Sequence, residues 1–279
     1  MIRLIYDDHL GEDGFQELTE KITRETPFRC TSYKDRCVRR RIAVRMRARG
    51  AETFRQYADL LDTDGSEYEH LLDALTVNVT KFFRNPPAYA VLAEQVIPEL
   101  WARNGEIRVW SAGSASGEEP FSLAALFYEY AASRNELAEL DRVRVIGSDI
   151  DRGSLDAARA AVYSPSSFTD TSDERIQELF PEVRGGRTVL PEIRRMVQFE
   201  RRDILRDLTD LGAMDLIACR NVVIYLDRAS QERLLDALAE TLWPGGFLMM
   251  GHVETLFGAA RARLVPVDMR ERIYRKPSQ

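Results

Sequence analysis

The stretch Arg108-Val-Trp-Ser-Ala-Gly-Ser-Ala-Ser-Gly-Glu-Glu-Pro-Phe-Ser-Leu-Ala124 decides the fold. Ile107, Val109 and Trp110 supply an apolar strand, and a turn of small residues follows it and opens directly onto a helix. Gly113 and Gly117 let backbone come close to a bound molecule. Pro120 fits the first helical turn, where its missing N–H costs nothing. Such a layout builds a ligand cradle.

A helix N-terminus attracts anions, and a dinucleotide site places a pyrophosphate there. This helix begins with Glu118 and Glu119, so two carboxylates stand where a pyrophosphate would sit. A cofactor carrying an ammonium and a sulfonium is attracted instead, and S-adenosylmethionine is such a cofactor. The spacing Gly-x-x-x-Gly also misses the dinucleotide fingerprint. The plain alternative is a glycine-rich turn that binds nothing.

Downstream segments favour the cradle. Val143-Arg-Val-Ile-Gly-Ser-Asp-Ile-Asp151 reads as a second strand ending in acids, where a nucleotide fold puts the carboxylate that accepts from ribose hydroxyls, and Asp149 is the first choice. Met196 to Leu205 reads as a third strand with Asp203 at its end, placed to meet an adenine edge. Met214 to Tyr225 supplies a fourth strand, and Pro244-Gly-Gly-Phe-Leu-Met-Met-Gly-His252 a turn and a fifth. Strands alternating with helical stretches predict an α/β fold, a parallel sheet with helices on both faces.

Residues 12–77 have another texture. Phe15, Leu18 and Ile22 keep helical spacing, and Tyr33–Arg49, Phe54–Leu61 and Tyr68–Val77 predict three more helices, with breaks near Pro27, Gly50 and Gly65. The expected organisation is an all-α domain over 1–77 and a cofactor domain over 78–279. Asn78 to Pro87 joins them, and the tandem Pro86-Pro87 is expected to end or redirect the chain. No apolar run among the 279 residues approaches the ~20 needed to span a bilayer. The N-terminus lacks a signal-peptide pattern, so a cytoplasmic protein is expected; a monomer is the expected state. Cys30, Cys37 and Cys219 lack CxxC spacing and His9, His70 and His252 are scattered, so no metal site is expected.

The predicted helix Tyr33–Arg49 carries Lys34, Arg36, Arg39, Arg40, Arg41, Arg45, Arg47 and Arg49 against one acid, Asp35, in a chain of net charge −6. A solvated face is the plainest reading of such a run. Nucleic acid is a second, but no basic–aromatic interleaving accompanies the run and the pI near 5.4 opposes a general polyanion binder. Docking on an acidic protein surface is the third.

Five strings carry a family resemblance: Asn78-Val-Thr-Lys-Phe-Phe-Arg-Asn85, Trp110 to Ser122, Ser148-Asp-Ile-Asp151, Cys219-Arg-Asn-Val-Val-Ile-Tyr-Leu-Asp227 and Gly245-Gly-Phe-Leu-Met-Met-Gly-His-Val-Glu254. In this order they resemble the CheR-type chemotaxis receptor methyltransferases. Ser114 stands where many relatives carry Cys, and Phe121 where many carry Tyr. The resemblance implies a Rossmann-like class I S-adenosylmethionine-dependent methyltransferase domain behind an all-α domain. It implies methyl esterification of chemoreceptor glutamates, with S-adenosylhomocysteine as product and docking on receptor helices through the basic helix 33–49. A module that senses the cofactor or its product without turnover is the alternative.

The matching positions imply a pocket of Asn78, Thr80, Arg84, Glu119, Asp149, Asp203, Ile204, Asn221 and Val222. Glu119 suits the methionine ammonium, Asp149 the ribose, and Asp203 and Ile204 the adenine. Glu118 is the weaker of the adjacent acids, because helix-dipole complementarity alone explains it. A glutamate carboxylate is already ionised near neutral pH, so the transfer needs no general base. Arg84 is the expected fork for the acceptor carboxylate, against the plain reading of an arginine pinning the linker beside Phe82 and Phe83. Tyr225 is expected to orient the acceptor, against a core aromatic with a satisfied hydroxyl.

Residues 163–200 form a long excursion between the second and third strands. It holds a helical stretch, Asp173–Phe180, and a hairpin, Val183–Leu190, with Gly185-Gly186 at its turn. The excursion resembles the small β-subdomain by which some relatives grip a receptor's C-terminal tether peptide. Phe180 to Phe199 is shorter here, so independence from such a peptide is expected.

Overall fold

The computed structural model describes residues 14–76, 78–206 and 211–278. His9, Val77 and the N-terminal segment invoked above lie outside them. Two units emerge: the described residues up to Thr76 together with Tyr225–Asp227, and Asn78–Ile224 with Arg228–Gln279. Residues 225–227, which sequence order keeps with the cofactor domain, therefore pack with the helices.

The first unit contains α1 (Phe15–Glu25), α2 (Asp35–Arg49), α3 (Phe54–Thr63) and α4 (Glu67–Leu75). Phe15, Leu18 and Ile22 of α1 meet Val38, Ile42 and Met46 of α2, Phe54, Tyr57 and Leu61 of α3, and Leu71 and Leu75 of α4 in one core. The Thr53 side chain caps α3 by accepting from Gln56 N at 3.2 Å, and Gly50 ends α2 at φ +70°.

The basic run is largely consumed inside this unit. Glu67 is fully buried, and its carboxylate takes both arms of Arg45 at 2.8 Å, Arg49 at 2.6 Å and the Tyr57 hydroxyl at 2.7 Å. Burial opposes ionisation there, but these donors outweigh it and hold Glu67 down at about 2. Arg41 donates to the carbonyls of Ala74 and Thr76, and Arg39 lies 3.7 Å over the Phe15 ring. Arg36 and Arg40 remain exposed beside Val44, which is 52% exposed.

The second unit is built on a sheet of β1 (Ile107–Ala112), β2 (Val143–Asp149), β6 (Val197–Arg201), β7 (Met214–Cys219), β8 (Leu242–Met250), β9 (Val265–Asp268) and β10 (Ile273–Arg275), in the order β6-β2-β1-β7-β8-β10-β9. The first five are parallel, while β10 runs antiparallel to both β8 and β9. The sheet is mixed rather than all-parallel. The two C-terminal strands escape the sequence pattern because they are short and Pro266 interrupts one of them. Strand order reverses at β1, and the crevice beyond the carboxyl ends of β1, β2 and β7 is where α/β folds bind ligands.

The tandem prolines start a helix instead of ending the chain's course. Pro86 opens α5 (Pro86–Val91), a position where a missing N–H is harmless, after Asn85 at φ +67°. The chain continues through Leu92–Val96 into α6 (Ile97–Trp101). Helix α7 (Glu118–Arg134) follows the cradle, and α8 (Arg152–Ala160) follows β2, capped by Asp151 accepting from Gly153 N at 3.0 Å.

The insertion forms a three-stranded sheet of β3 (Val162–Tyr163), β5 (Gly186–Thr188) and β4 (Glu182–Val183), with β5 central. Val183 pairs with Gly186, so the turn is Arg184-Gly185 and Gly186 already belongs to the strand. A Cβ on Gly186 would lie 2.1 Å from the Tyr163 carbonyl, so only glycine fits there. Phe82 stacks on Phe168 at 4.9 Å and meets Phe180 at 4.5 Å, which anchors the Asn78–Asn85 segment to this unit. Phe82 and Phe83 are buried, while the residues around them stay half-buried or, at Val79, exposed.

Candidate functional site

Backbone conformation builds the cradle. Gly113 takes φ +79°, and a Cβ on it would sit 2.6 Å from Val222 Cγ2. The N–H groups of Gly113 and Ser114 donate to the Ser148 carbonyl at 2.8 and 2.9 Å, tying the turn to β2. Gly117 takes φ +96°, with Ala158 Cβ, Phe199 Cζ and the Tyr163 hydroxyl oxygen all within 3.0 Å of where its Cβ would be. Neither glycine tolerates a side chain.

Asp149, at the end of β2, is 8% exposed. Its carboxylate accepts from Ala115 N at 2.9 Å and Asp151 N at 3.0 Å. Ala115 is held at φ +44°, a conformation costly for a residue with a Cβ. Burial pushes the Asp149 carboxyl above its ordinary range, opposed by those N–H donors. Asp151 lies alongside and accepts from Asn78 Nδ2 at 2.7 Å, which fixes Asn78 at this edge.

The two acids opening α7 diverge. Glu118 turns to the hydroxyls of Ser116 at 2.7 Å and Ser167 at 3.1 Å, and burial raises its pKa. Glu119 accepts from Ser111 Oγ at 2.8 Å and pairs with Arg220 Nη1 at 3.3 Å. Arg220 is buried, and its other arm donates to the Arg84 carbonyl at 2.7 Å. The Arg84 side chain folds back onto its own segment, donating to the Val79 carbonyl at 3.0 Å. Val79 is 67% exposed and Thr80 half-buried on this segment.

After β7 the chain turns sharply. Asn221 takes φ +60°, and its N–H donates to Glu254 at 3.0 Å. Glu254 is 1% exposed and also accepts from Gly251 N at 2.7 Å and Ile224 N at 3.3 Å. Burial raises its pKa while these backbone donors oppose the rise. Beyond β6, Asp203 accepts from Leu205 N at 2.9 Å and Ile204 is 8% exposed. His252 is exposed.

The structure thus gathers Asn78, Asp149, Glu119, Asn221 and Val222 at the carboxyl ends of β1, β2 and β7, with Arg84 reached through Arg220. Asp203 and Ile204 follow β6 on the far side of β2. Tyr225 belongs to the helical unit: its carbonyl accepts from Lys34 N at 2.9 Å, and Arg41 lies 5.4 Å over its ring. Sequence reasoning missed Arg220 and Glu254, although both stand inside the quoted strings.

The residues present fit S-adenosylmethionine. Two carboxylates open the helix, glycines leave space against the backbone, and the Ser114 hydroxyl is buried without a hydrogen-bond partner among the described residues. A pyrophosphate would meet Glu118 and Glu119.

Comparison with known proteins agrees. Residues 13–76 match the family model "CheR methyltransferase, all-alpha domain" and residues 78–272 match "CheR methyltransferase, SAM binding domain". Chemotaxis protein methyltransferase 2 of Pseudomonas aeruginosa is 32% identical over 257 residues, covering 90% of each chain. The chemotaxis protein methyltransferase of Salmonella typhimurium is 31% identical over 259 residues, 90% of this chain and 87% of its own. Chemotaxis protein methyltransferase 1 of Vibrio cholerae is 35% identical over 189 residues, 67% of this chain and 68% of its own. With the acid-lined cradle at the switch point and both units matched, this chain belongs to the CheR methyltransferase family and its second unit is an S-adenosylmethionine-binding domain.

Proposed function

We propose that this protein esterifies glutamate side chains on the cytoplasmic domains of chemoreceptors and leaves S-adenosylhomocysteine as product. The observation that carries the reading is the pairing of an acid-lined cofactor seat, Glu119 and Asp149, with an arginine, Arg84, whose main chain is fixed to that seat through Arg220. The named relatives are chemotaxis methyltransferases, which supports the receptor as acceptor.

When bound, S-adenosylmethionine supplies a methyl made electrophilic by the adjoining sulfonium. The chain's residues supply position. Glu119 receives the ammonium, Asp149 the ribose hydroxyls, and Asp203 and Ile204 the adenine, while Asn78, Thr80, Asn221 and Val222 complete the pocket. Arg84 offers a fixed guanidinium fork to the acceptor carboxylate, compensating its loss of water. The acceptor is ionised near neutral pH, so no residue need remove a proton. Tyr225 orients the acceptor through its phenol.

Receptor docking falls to the exposed part of α2. Arg41, Arg45 and Arg49 are bound within the helical unit, which leaves Arg36 and Arg40, beside Val44, to meet acidic helices. The insertion's edge strand β4 spans two residues, a short template for an added peptide strand, in keeping with a tether-independent enzyme. Among the described residues no helix is long and apolar enough to cross a membrane.

Incubation with methyl-labelled S-adenosylmethionine and receptor-containing membranes tests this. Alkali-labile label in the receptor is the expected result. Cofactor binding with no transfer to any receptor would instead make the protein a sensing module.

A further inference from the structure

We propose that Arg220 is a positioning residue that locks the ammonium seat and the acceptor-binding arginine into one rigid body. The inference rests on the reading of Glu119 as the seat of the methionine ammonium. Arg220 stands directly after β7 and is 7% exposed. One arm of its guanidinium holds Glu119 Oε2 at 3.3 Å, the other holds the Arg84 carbonyl at 2.7 Å, and its central carbon lies 5.5 Å from the Tyr89 ring centroid. Three chain segments remote in sequence meet on one group.

Fold stability does not account for this arrangement. A buried ion pair gains little over well-packed apolar side chains, and the Arg220 Nε is buried without a hydrogen-bond partner among the described residues. What the fork does supply is direction. Ser111 Oγ holds one Glu119 oxygen and Arg220 the other, so the carboxylate plane is fixed and its remaining lone pairs can face only one way. The same group sets the height of the Arg84 backbone, whose side chain is closed onto Val79. Lysine could satisfy one partner but not both, because it lacks the planar fork.

The test measures affinity of Arg220→Lys for two probes by calorimetry. S-Adenosylhomocysteine carries the amino-acid end that Glu119 would hold, whereas 5′-methylthioadenosine has the nucleoside and lacks that end. The expected result is a loss of about tenfold or more for S-adenosylhomocysteine, the effect of misplacing one charge-assisted hydrogen bond, with 5′-methylthioadenosine unchanged. The receptor KM should rise as well, since the Arg84 backbone loses its anchor. Equal losses for both probes, or no loss for either, overturn the proposal, because a merely structural arginine cannot tell them apart.

If Arg220→Lys does not fold, the double variant Arg220→Met with Glu119→Gln removes both charges together. It should bind S-adenosylhomocysteine no worse than Glu119→Gln alone; fully additive losses overturn the proposal. Wild-type protein that binds neither probe overturns the functional reading along with it. Binding by wild type and an unselective loss in the variant overturns the Arg220 assignment alone.

Discussion

Replacing Asp149 by alanine separates its two jobs. In the free protein its carboxylate accepts from Ala115 and Asp151 N–H groups at 2.9 and 3.0 Å. Hydrogen bonds to a charged group contribute about 1.5–3 kcal/mol each, but burial already opposes the ionised form, so the pair stabilises the fold by less than its sum. Ala115 at φ +44° loses the bond that holds it and relaxes, which recovers ~1 kcal/mol of backbone strain. The net expectation is about 2 kcal/mol of lost stability, a fall in Tm of roughly 4–8 °C for a domain of this size. Cofactor binding loses the ribose hydrogen bonds in addition, about 1.5–3 kcal/mol, which raises Kd roughly 10- to 150-fold. Thermal unfolding and calorimetry with S-adenosylhomocysteine at a temperature where both proteins are folded give the two numbers. A lower Tm with unchanged Kd would refute the ribose assignment and leave Asp149 as a clamp on the turn.

Further outcomes follow from the same geometry. Arg84→Ala and Tyr225→Phe should lower methyl transfer far more than Tm; parallel losses would return both to packing roles. Reversing Arg36 and Arg40 to Glu should raise the receptor KM and leave cofactor affinity intact, with salt mimicking the change because exposed charges are screened beyond ~8–10 Å. By contrast, Arg45→Glu should unfold the helical unit, since it leaves Glu67 buried against a second negative charge. For pH, Glu67 is held at about 2 against an ordinary 4.5, so its stabilisation is complete above 4.5 and is lost as pH falls toward 2. The advantage of wild type over Glu67→Gln, read by circular dichroism, should shrink across that window. Glu118 has the opposite sign: its raised folded pKa makes it cost stability above that pKa, so Glu118→Gln should gain on wild type as pH rises.

The cradle was legible because it is local. An apolar strand, a small-residue turn and a helix occupy neighbouring positions, and Gly113 and Gly117 make the close backbone approach that their residue type suggests. Four helices were equally plain from the spacing of Phe15, Leu18, Ile22 and their counterparts. What escaped depends on partners far along the chain. Arg220 meets Glu119 across 101 positions and Glu254 meets Asn221 across 33, and no periodicity marks such pairs. The arginines of α2 read as one charged face, yet the buried Glu67 draws two of them inward. Tyr225 follows a sheet strand in sequence but packs under Arg41 in the helical unit. The strands Val265–Asp268 and Ile273–Arg275 are too short to show alternation; Ile273–Arg275 takes its place from pairing with β8, and Val265–Asp268 from pairing with Ile273–Arg275.

Glutamate carboxylates are the proposed acceptors. Peptide mass mapping of a purified chemoreceptor cytoplasmic fragment, incubated with this protein and S-adenosylmethionine, tests this assignment most directly. Methyl groups are expected on glutamate side chains, removed by mild alkali and absent when Arg84→Ala replaces the wild type. Methyl groups confined to lysine, arginine or other alkali-stable positions, or none despite measurable cofactor binding, would contradict it.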